Sequence, residues 1–524
     1  MKIKFIRGFP QKIIFVIFIY LLCFLFITME SRNNKPTLLS NASIVYKSDS
    51  ESPFLKTITS RIQNHKESDE LSVSNFYSKF YENPAIYTKA EKDVSNDEQV
   101  KKVLVNNNKT TEEKPQQDHA VSAVTNSDLT GAINVLDYGA VADGITDCTK
   151  AINSALSAGE NGTVYFPSGT YVISGYVQIR SNTQIVGEGQ DSVIMAAPGL
   201  SSGSTMLYIN GVQNITIKNI SISGNSTVNT RASGYSDKDG IHLLDIWNSS
   251  IISIVGCTFK DNIYAAIRNI GSSNVTVDTC NFLNVDCGFI TLGEKDMENL
   301  TVENSYFNGH DWSEPISMFA NALHTNITII NNRIENKIYA TGIICAAKGR
   351  YNNVTIANNT VSNTAVGISI NNATNVSIDS NKISNTTSGR GISIVTSDTV
   401  KVTNNYCTNT NLDGFYFENC SNTVMDSNTI EGFALKNVNF VGIRISGVNS
   451  SLTISNNTIT KNELSISTNG IYVDGTGSID INNNILNNCI SFLESSSAGV
   501  NLLVGSESEF FNRGNNNVTI SGSN

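Results

Sequence analysis

His242 and Arg268 are the residues of this chain best suited to act on an acidic substrate. Each follows a small residue by two positions, Gly240 and Ala266, in consecutive repeats of one strand pattern. Alternation along a strand then sets both on an outward face, roughly 5 Å apart. Asp239, Tyr264 and Asp286 fall near the same edge, and Lys295 and Asp296 follow on the next connection. The set contains a base, a fixed cation and carboxylates. Abstraction of the C5 proton of a uronate needs those types: a base takes the proton, and a cation or a bound metal ion, calcium being the candidate, neutralises the neighbouring carboxylate. In that assignment His242 is base or acid, Arg268 is the carboxylate clamp, and Asp239 orients or binds metal. The alternative is a solvated face on which His–Asp and Arg–Asp pairs bridge strands without chemistry.

A second cluster, His310, Asp311, Trp312 and Glu314, lies in a long connection before Pro315. An aromatic beside carboxylates on a loop suits sugar stacking, or the Trp merely anchors the loop. Tyr416, Arg444 and Tyr472 share one outward column further along. They extend a carbohydrate groove or are strand-favouring residues on an open face.

What positions these residues is a repeat of about 25 residues. Aligning the phrase N-V-T-I-x-x-N-x-I gives one column of Asn332, Asn359, Asn381, Asn405, Asn428, Asn457 and Asn483, preceded by Cys257, Cys280 and Ser305. Beside it runs an apolar column, from Phe259, Phe282 and Phe307 to Ile430, Ile459 and Ile485, with Cys407 in one place. Such spacing marks stacked coils, each touching only its neighbours. Strands of one coil pair with those of the next, and an inward Asn at each bend exchanges hydrogen bonds with backbone above and below. The prediction is an all-β, single-stranded, right-handed parallel β-helix of about twelve coils. Asp147 caps a short helix with Ala151, Ile152, Ala155 and Leu156 on one face, closing the open end of the core. Cys257 and Cys280 are small buried hydrophobes or a disulfide between adjacent coils.

The N-terminal quarter reads differently. Residues 1–12 are basic, and 13–29 are an apolar run that would span about 25 Å as a helix. No small-x-small site follows, so the reading is an uncleaved single-pass signal anchor with the bulk of the chain outside the cytoplasm. Residues 30–128 are polar and aperiodic, a disordered stalk. The β-helix domain is 129–524. Net charge is −10 and charged residues make up 16% of the chain, which gives a nucleic-acid role no electrostatic support. The eight cysteines outside the apolar run show no C-x-x-C pairing, so no zinc site is expected.

Residues 132–200 resemble the rhamnogalacturonase/epimerase-like pectate lyase family of the pectate-lyase-like superfamily. The matching stretches are Tyr138-Gly139-Ala140-Val141-Ala142-Asp143-Gly144, Gly162-Thr163-Val164-Tyr165-Phe166-Pro167, Gly169-Thr170-Tyr171 and Gly187-Glu188-Gly189. The resemblance implies a right-handed β-helix and a polysaccharide partner. Its members include lyases, hydrolases, epimerases and phage tailspikes. The polygalacturonase-type hydrolases carry Asp-Gly, Asp-Asp and Gly-His-Gly in successive coils. Asp239-Gly240 matches the first, but the next two positions read Tyr264-Ala265-Ala266 and Asp286-Cys287-Gly288. The carboxylate pair of glycoside hydrolysis is therefore missing there. The Asp-Pro-His-Glu string of alginate C5-epimerases is also absent. Two readings stand beside each other: a membrane-anchored polysaccharide enzyme of uronate lyase or epimerase type, and a non-catalytic adhesin or wall-binding protein; a polygalacturonase-type glycoside hydrolase is a third, without its carboxylate pair.

Overall fold

A computed structural model describes residues 129–522 apart from short internal stretches, of which 230–239 and 310–312 bear on the site. The chain divides into two units, 1–81 and 82–524, and the described residues belong to the second. The anchor at 13–29 and the stalk at 30–128 lie outside them. Among the described residues no helix is long and apolar enough to cross a membrane.

The strands form a β-solenoid of about twelve turns, and every pairing between coils is parallel. One inward ladder shows why the sequence folds this way. Ile252, Val275, Leu300, Ile327, Val354, Val376 and Val400 stand in register from coil to coil. Like side chains stack on like, and a single core runs from Val135 to Cys489. Phe259, Phe282 and Phe307 stack nearly parallel within it, with centroids 5.2 and 4.3 Å apart. The helix Thr149–Ala158 buries Ile152, Ala155 and Leu156 in the same core and so closes its first coil. Its N-cap residue is Cys148, but Asp147 accepts the Thr149 amide at 3.0 Å and takes a second hydrogen bond from the Ser174 hydroxyl.

The asparagine column is a buried ladder. Asn405 Oδ1 accepts both the backbone and the side-chain N–H of Asn381, at 2.9 and 3.0 Å, while its Nδ2 donates to the Ile378 carbonyl at 2.9 Å and to Asn428 Oδ1 at 3.0 Å. Each coil repeats the pattern from Asn332 to Asn457. The last rung is Asn484, not Asn483, and its apolar neighbour is Leu486, not Ile485. Asn483 takes the left-handed bend itself, with φ of 53°. Cys257 and Cys280 stay thiols and donate to the Ile217 and Ile254 carbonyls, at 3.4 and 3.5 Å.

A second asparagine column lies outside the first and has another cause. Asn214, Asn274, Asn299, Asn326, Asn353 and Asn375 all have φ of 54–59°, the left-handed region that Asn tolerates. Their amides bond coil to coil, as from Asn326 Nδ2 to Asn299 Oδ1 at 2.8 Å. Ile251 occupies this column with φ of 59° and is 54% exposed. A β-branched residue is strained there. Ile251→Asn is expected to raise stability by about 1 kcal/mol, read from the denaturation midpoint. An unchanged or lower midpoint would refute the strain.

One buried histidine has no part in the site. His324 stacks on Tyr351 with centroids 5.2 Å apart, and its Nε2 lies 3.0 Å from Thr291 Oγ1. Burial pushes its pKa down to about 4. The unfolded chain takes up a proton near pH 6.5, while the native state stays neutral until about pH 4. Stability is therefore expected to fall as pH drops through that window, by on the order of 3 kcal/mol. His324→Gln should flatten the slope in pH-dependent denaturation. A slope unchanged by the substitution would refute the assignment.

Candidate functional site

The strand His242–Trp247 carries Leu244 and Ile246 inward and Asp245 outward. It pairs on one side with Thr205–Asn210 and on the other with the second half of Thr258–Ile270. Register sets Asp245 between Tyr208 and Arg268. Arg268 closes on it with two hydrogen bonds, Nε to Oδ1 at 2.8 Å and Nη2 to Oδ2 at 2.6 Å. The Thr205 hydroxyl donates to the same carboxylate at 2.5 Å. The Arg268 guanidinium also lies over the Trp247 ring, 5.7 Å from its centroid. Asp245 is buried, which would raise its pKa. The contacts from His242 and Arg268 outweigh that and hold it down at about 2.

This corrects the expected pairing. His242 does not share an outward position with Arg268, and its strand partner is Thr205. Leu244 pairs with Ile267, so the counterpart of Ala266 is Leu243 and not Gly240. The corner before the strand is longer than the repeat suggests. Gly240 lies against Tyr264, where a Cβ would stand 2.3 Å from the Tyr264 Cβ. His242 is 1% exposed. Its Nδ1 sits 3.5 Å from Asp245 Oδ2, an ion-pair distance, and neither ring nitrogen makes a hydrogen bond among the described residues. The Tyr264 ring packs 5.2 Å from the His242 ring.

The remaining candidates divide. His242, Arg268 and Tyr264 come together, while Lys295 donates to Asn248 Oδ1 at 2.6 Å, at the corner that follows Trp247. Asp239, His310, Asp311 and Trp312 lie outside the described residues. Glu314 is half-buried, and desolvation pushes its carboxyl up. Asp286 is buried, not at an exposed edge. Its carbonyl and that of Val285 accept from Lys337 Nζ, at 2.8 and 2.5 Å. Lys337, only 1% exposed, serves bend backbone as Asn262 does three coils earlier. Among the described residues no cluster of three or more His, Cys, Asp or Glu is placed to hold a metal ion.

Tyr416, Arg444 and Tyr472 do share one outward column, as expected. It is the column of Asp245 and Arg268 continued, six coils beyond Arg268 and so about 29 Å away. Arg444 lies over Tyr472 at 4.8 Å. The two clusters are too far apart to act on one bond.

Sequence reasoning missed Asp245 and the residues that hold Arg444. Asp245 was findable, because an acid between two inward aliphatics, Leu244-Asp245-Ile246, has to face out.

The chain matches the family described as rhamnogalacturonase A/epimerase, pectate lyase-like, over residues 132–393, and a right-handed β-helix region over 341–523. It belongs to that pectate lyase-like family of right-handed β-helix proteins. Plasmin and fibronectin-binding protein A of Streptococcus pneumoniae is 28% identical over 256 residues, 38% of this chain and 36% of that protein. The preneck appendage protein of Bacillus phage PZA is 29% identical over 185 residues, 33% of this chain and 20% of that one. Mannuronan C5-epimerase AlgE1 of Azotobacter vinelandii is 35% identical over 107 residues, 18% of this chain and 8% of the epimerase. This chain thus spans little more than a third of the first of these and less of the others. Among solved structures, the surface adhesin PfbA of Streptococcus pneumoniae superposes with a TM-score of 0.49 at 20% identity, covering 70% of this chain and 93% of that one.

Proposed function

We propose that the β-helix binds an acidic polysaccharide along its outward column, with the Asp245 cluster as the first contact. The observation that carries this is the state of Arg268. Two of its nitrogens are spent on a buried, ionised carboxylate, so the guanidinium is fixed in place over Trp247. A cation fixed beforehand loses little freedom on meeting an anionic sugar. Tyr208 lies on the other side of Asp245, one coil before it. His242 is 1% exposed, which favours binding over proton abstraction from a substrate C–H bond. The protein is read as a surface polymer-binding module, carried outside the cytoplasm by the apolar run at 13–29.

One observation favours a second reading. A buried His paired with an ionised Asp, both ring nitrogens lacking hydrogen bonds among the described residues, is a poised base. In that reading the protein is a uronate lyase or epimerase and His242 takes the C5 proton. The names of the relatives divide along the same line, one for binding plasmin and fibronectin and another for epimerising mannuronan. The test uses the full chain with polygalacturonate and alginate. Binding is measured by calorimetry, and unsaturated or epimerised sugar is assayed in the same samples. Binding without product supports the first reading. Product that disappears in His242→Ala supports the second.

A further inference from the structure

The outward column carries a second cluster built around a different acid. Asp413 is completely buried just before the strand Phe415–Glu418. It receives Arg390 Nε at 3.0 Å, Arg444 Nε at 3.3 Å and the Val441 amide at 3.0 Å. Two cations thus share one carboxylate. Arg444 is fully occupied, since its Nη1 lies 3.3 Å from Asp474 Oδ2 and its Nη2 donates to the Asn439 carbonyl. Arg390 is not. Its guanidinium lies on the Tyr416 ring, 3.7 Å from the centroid, and its side chain is 29% exposed. Its two terminal nitrogens have no hydrogen-bond or ion-pair partner among the described residues. The Tyr416 hydroxyl donates to Glu418 at 2.8 Å, which fixes the ring beneath the guanidinium.

The geometry, and not a net charge, decides what this cluster is for. The two guanidiniums are balanced by Asp413 and Asp474, but Asp474 takes the outer edge of Arg444 and nothing takes that of Arg390 among the described residues. The buried ion pair and the aromatic stack hold that guanidinium still, with its forked edge unoccupied. A planar fork of this kind pairs with a two-oxygen anion through parallel hydrogen bonds. We propose that Arg390 is the anion clamp of a second glycan-binding site and takes an oxyanion of an acidic sugar, a carboxylate or a sulfate ester. The alternation of Tyr416, Arg444 and Tyr472 along the stack gives the sugar rings beyond that anion a mixed aromatic and polar path about 10 Å long. The inference rests on the glycan-binding reading of this face, but not on the Asp245 cluster.

The test is calorimetric binding of sodium polygalacturonate and of dextran sulfate to the full chain, to Arg390→Ala and to Arg390→Lys. Arg390→Ala is expected to weaken binding of one polymer about tenfold, and the polymer affected identifies the anion as carboxylate or sulfate. Arg390→Lys keeps the charge and loses the fork, so it should recover only part of the affinity. Should Arg390→Ala lower the melting temperature, Arg390→Lys, which keeps a cation beside Asp413, carries the comparison. Unchanged affinity of Arg390→Ala for both polymers would overturn the inference and leave the first site untouched. Full recovery in Arg390→Lys would overturn the forked clamp. If the wild-type chain binds neither polymer, the inference and the glycan-binding reading fail together.

Discussion

Arg268→Ala is expected to destabilise the β-helix by about 3–5 kcal/mol, the range for removing one partner of a buried ion pair. The substitution leaves Asp245, 1% exposed, with the Thr205 hydroxyl and a long His242 contact in place of two charge-assisted hydrogen bonds. Removing both charges should cost much less. Asp245→Leu with Arg268→Met takes away the buried charge and its cation together, and is expected to recover most of the loss. The pH dependence carries the same signature. The Asp245 carboxyl is lowered from 3.8 to about 2 in the native state. Its stabilisation is therefore present above about pH 4 and is lost as pH falls toward 2. Denaturant midpoints of the wild type, both single variants and the double variant check the account. A cost below 1 kcal/mol for Arg268→Ala, or a double variant as unstable as the two losses summed, would contradict it.

The second large effect belongs to the ladder. Asn405→Ala removes the acceptor of two Asn381 N–H groups and a donor to the Ile378 and Thr403 carbonyls. All sit in the core, where each stranded group costs about 1–3 kcal/mol, so a total loss of at least ~3 kcal/mol is expected. Asn405→Ser should cost clearly less, because the chain already uses that solution. Ser305 Oγ accepts the Cys280 amide at 3.0 Å and donates to the Glu303 carbonyl at 2.7 Å. Thermal and chemical denaturation of the two variants decide it. Equal losses for Ala and Ser would mean that side-chain volume, not hydrogen bonding, selects Asn in this column.

These cases also show how far the sequence can be read. The coil repeat and its inward ladder were legible, because stacking forces like residues to a fixed period, as from Asn332 to Asn457. The end of the ladder was not. Asn482, Asn483 and Asn484 are chemically identical, and only the bend decides which faces in. The outer asparagines open the repeat phrase N-V-T-I, but the phrase does not show why, and their left-handed backbone is the physical reason for the residue. The expected pairing of His242 with Arg268 had the wrong register. Corners vary in length, so counting from Gly240 put His242 where Asp245 stands. Arg390 and Asp413 occupy one repeat position, each just before the glycine that opens a strand, Gly391 and Gly414. Their pairing across 23 residues follows from coil stacking alone.

The central claim is that the column built on Asp245 and Arg268 holds an acidic glycan and leaves it chemically unchanged. Its most direct test is calorimetric titration of the full chain and of Arg268→Lys with polygalacturonate and with alginate, each sample then assayed for unsaturated ends, new reducing ends and epimer change. The account predicts saturable binding of at least one polymer, weaker in Arg268→Lys, with all three product assays flat. Product formed by the wild type and abolished in His242→Ala would contradict it, as would binding that Arg268→Lys leaves untouched.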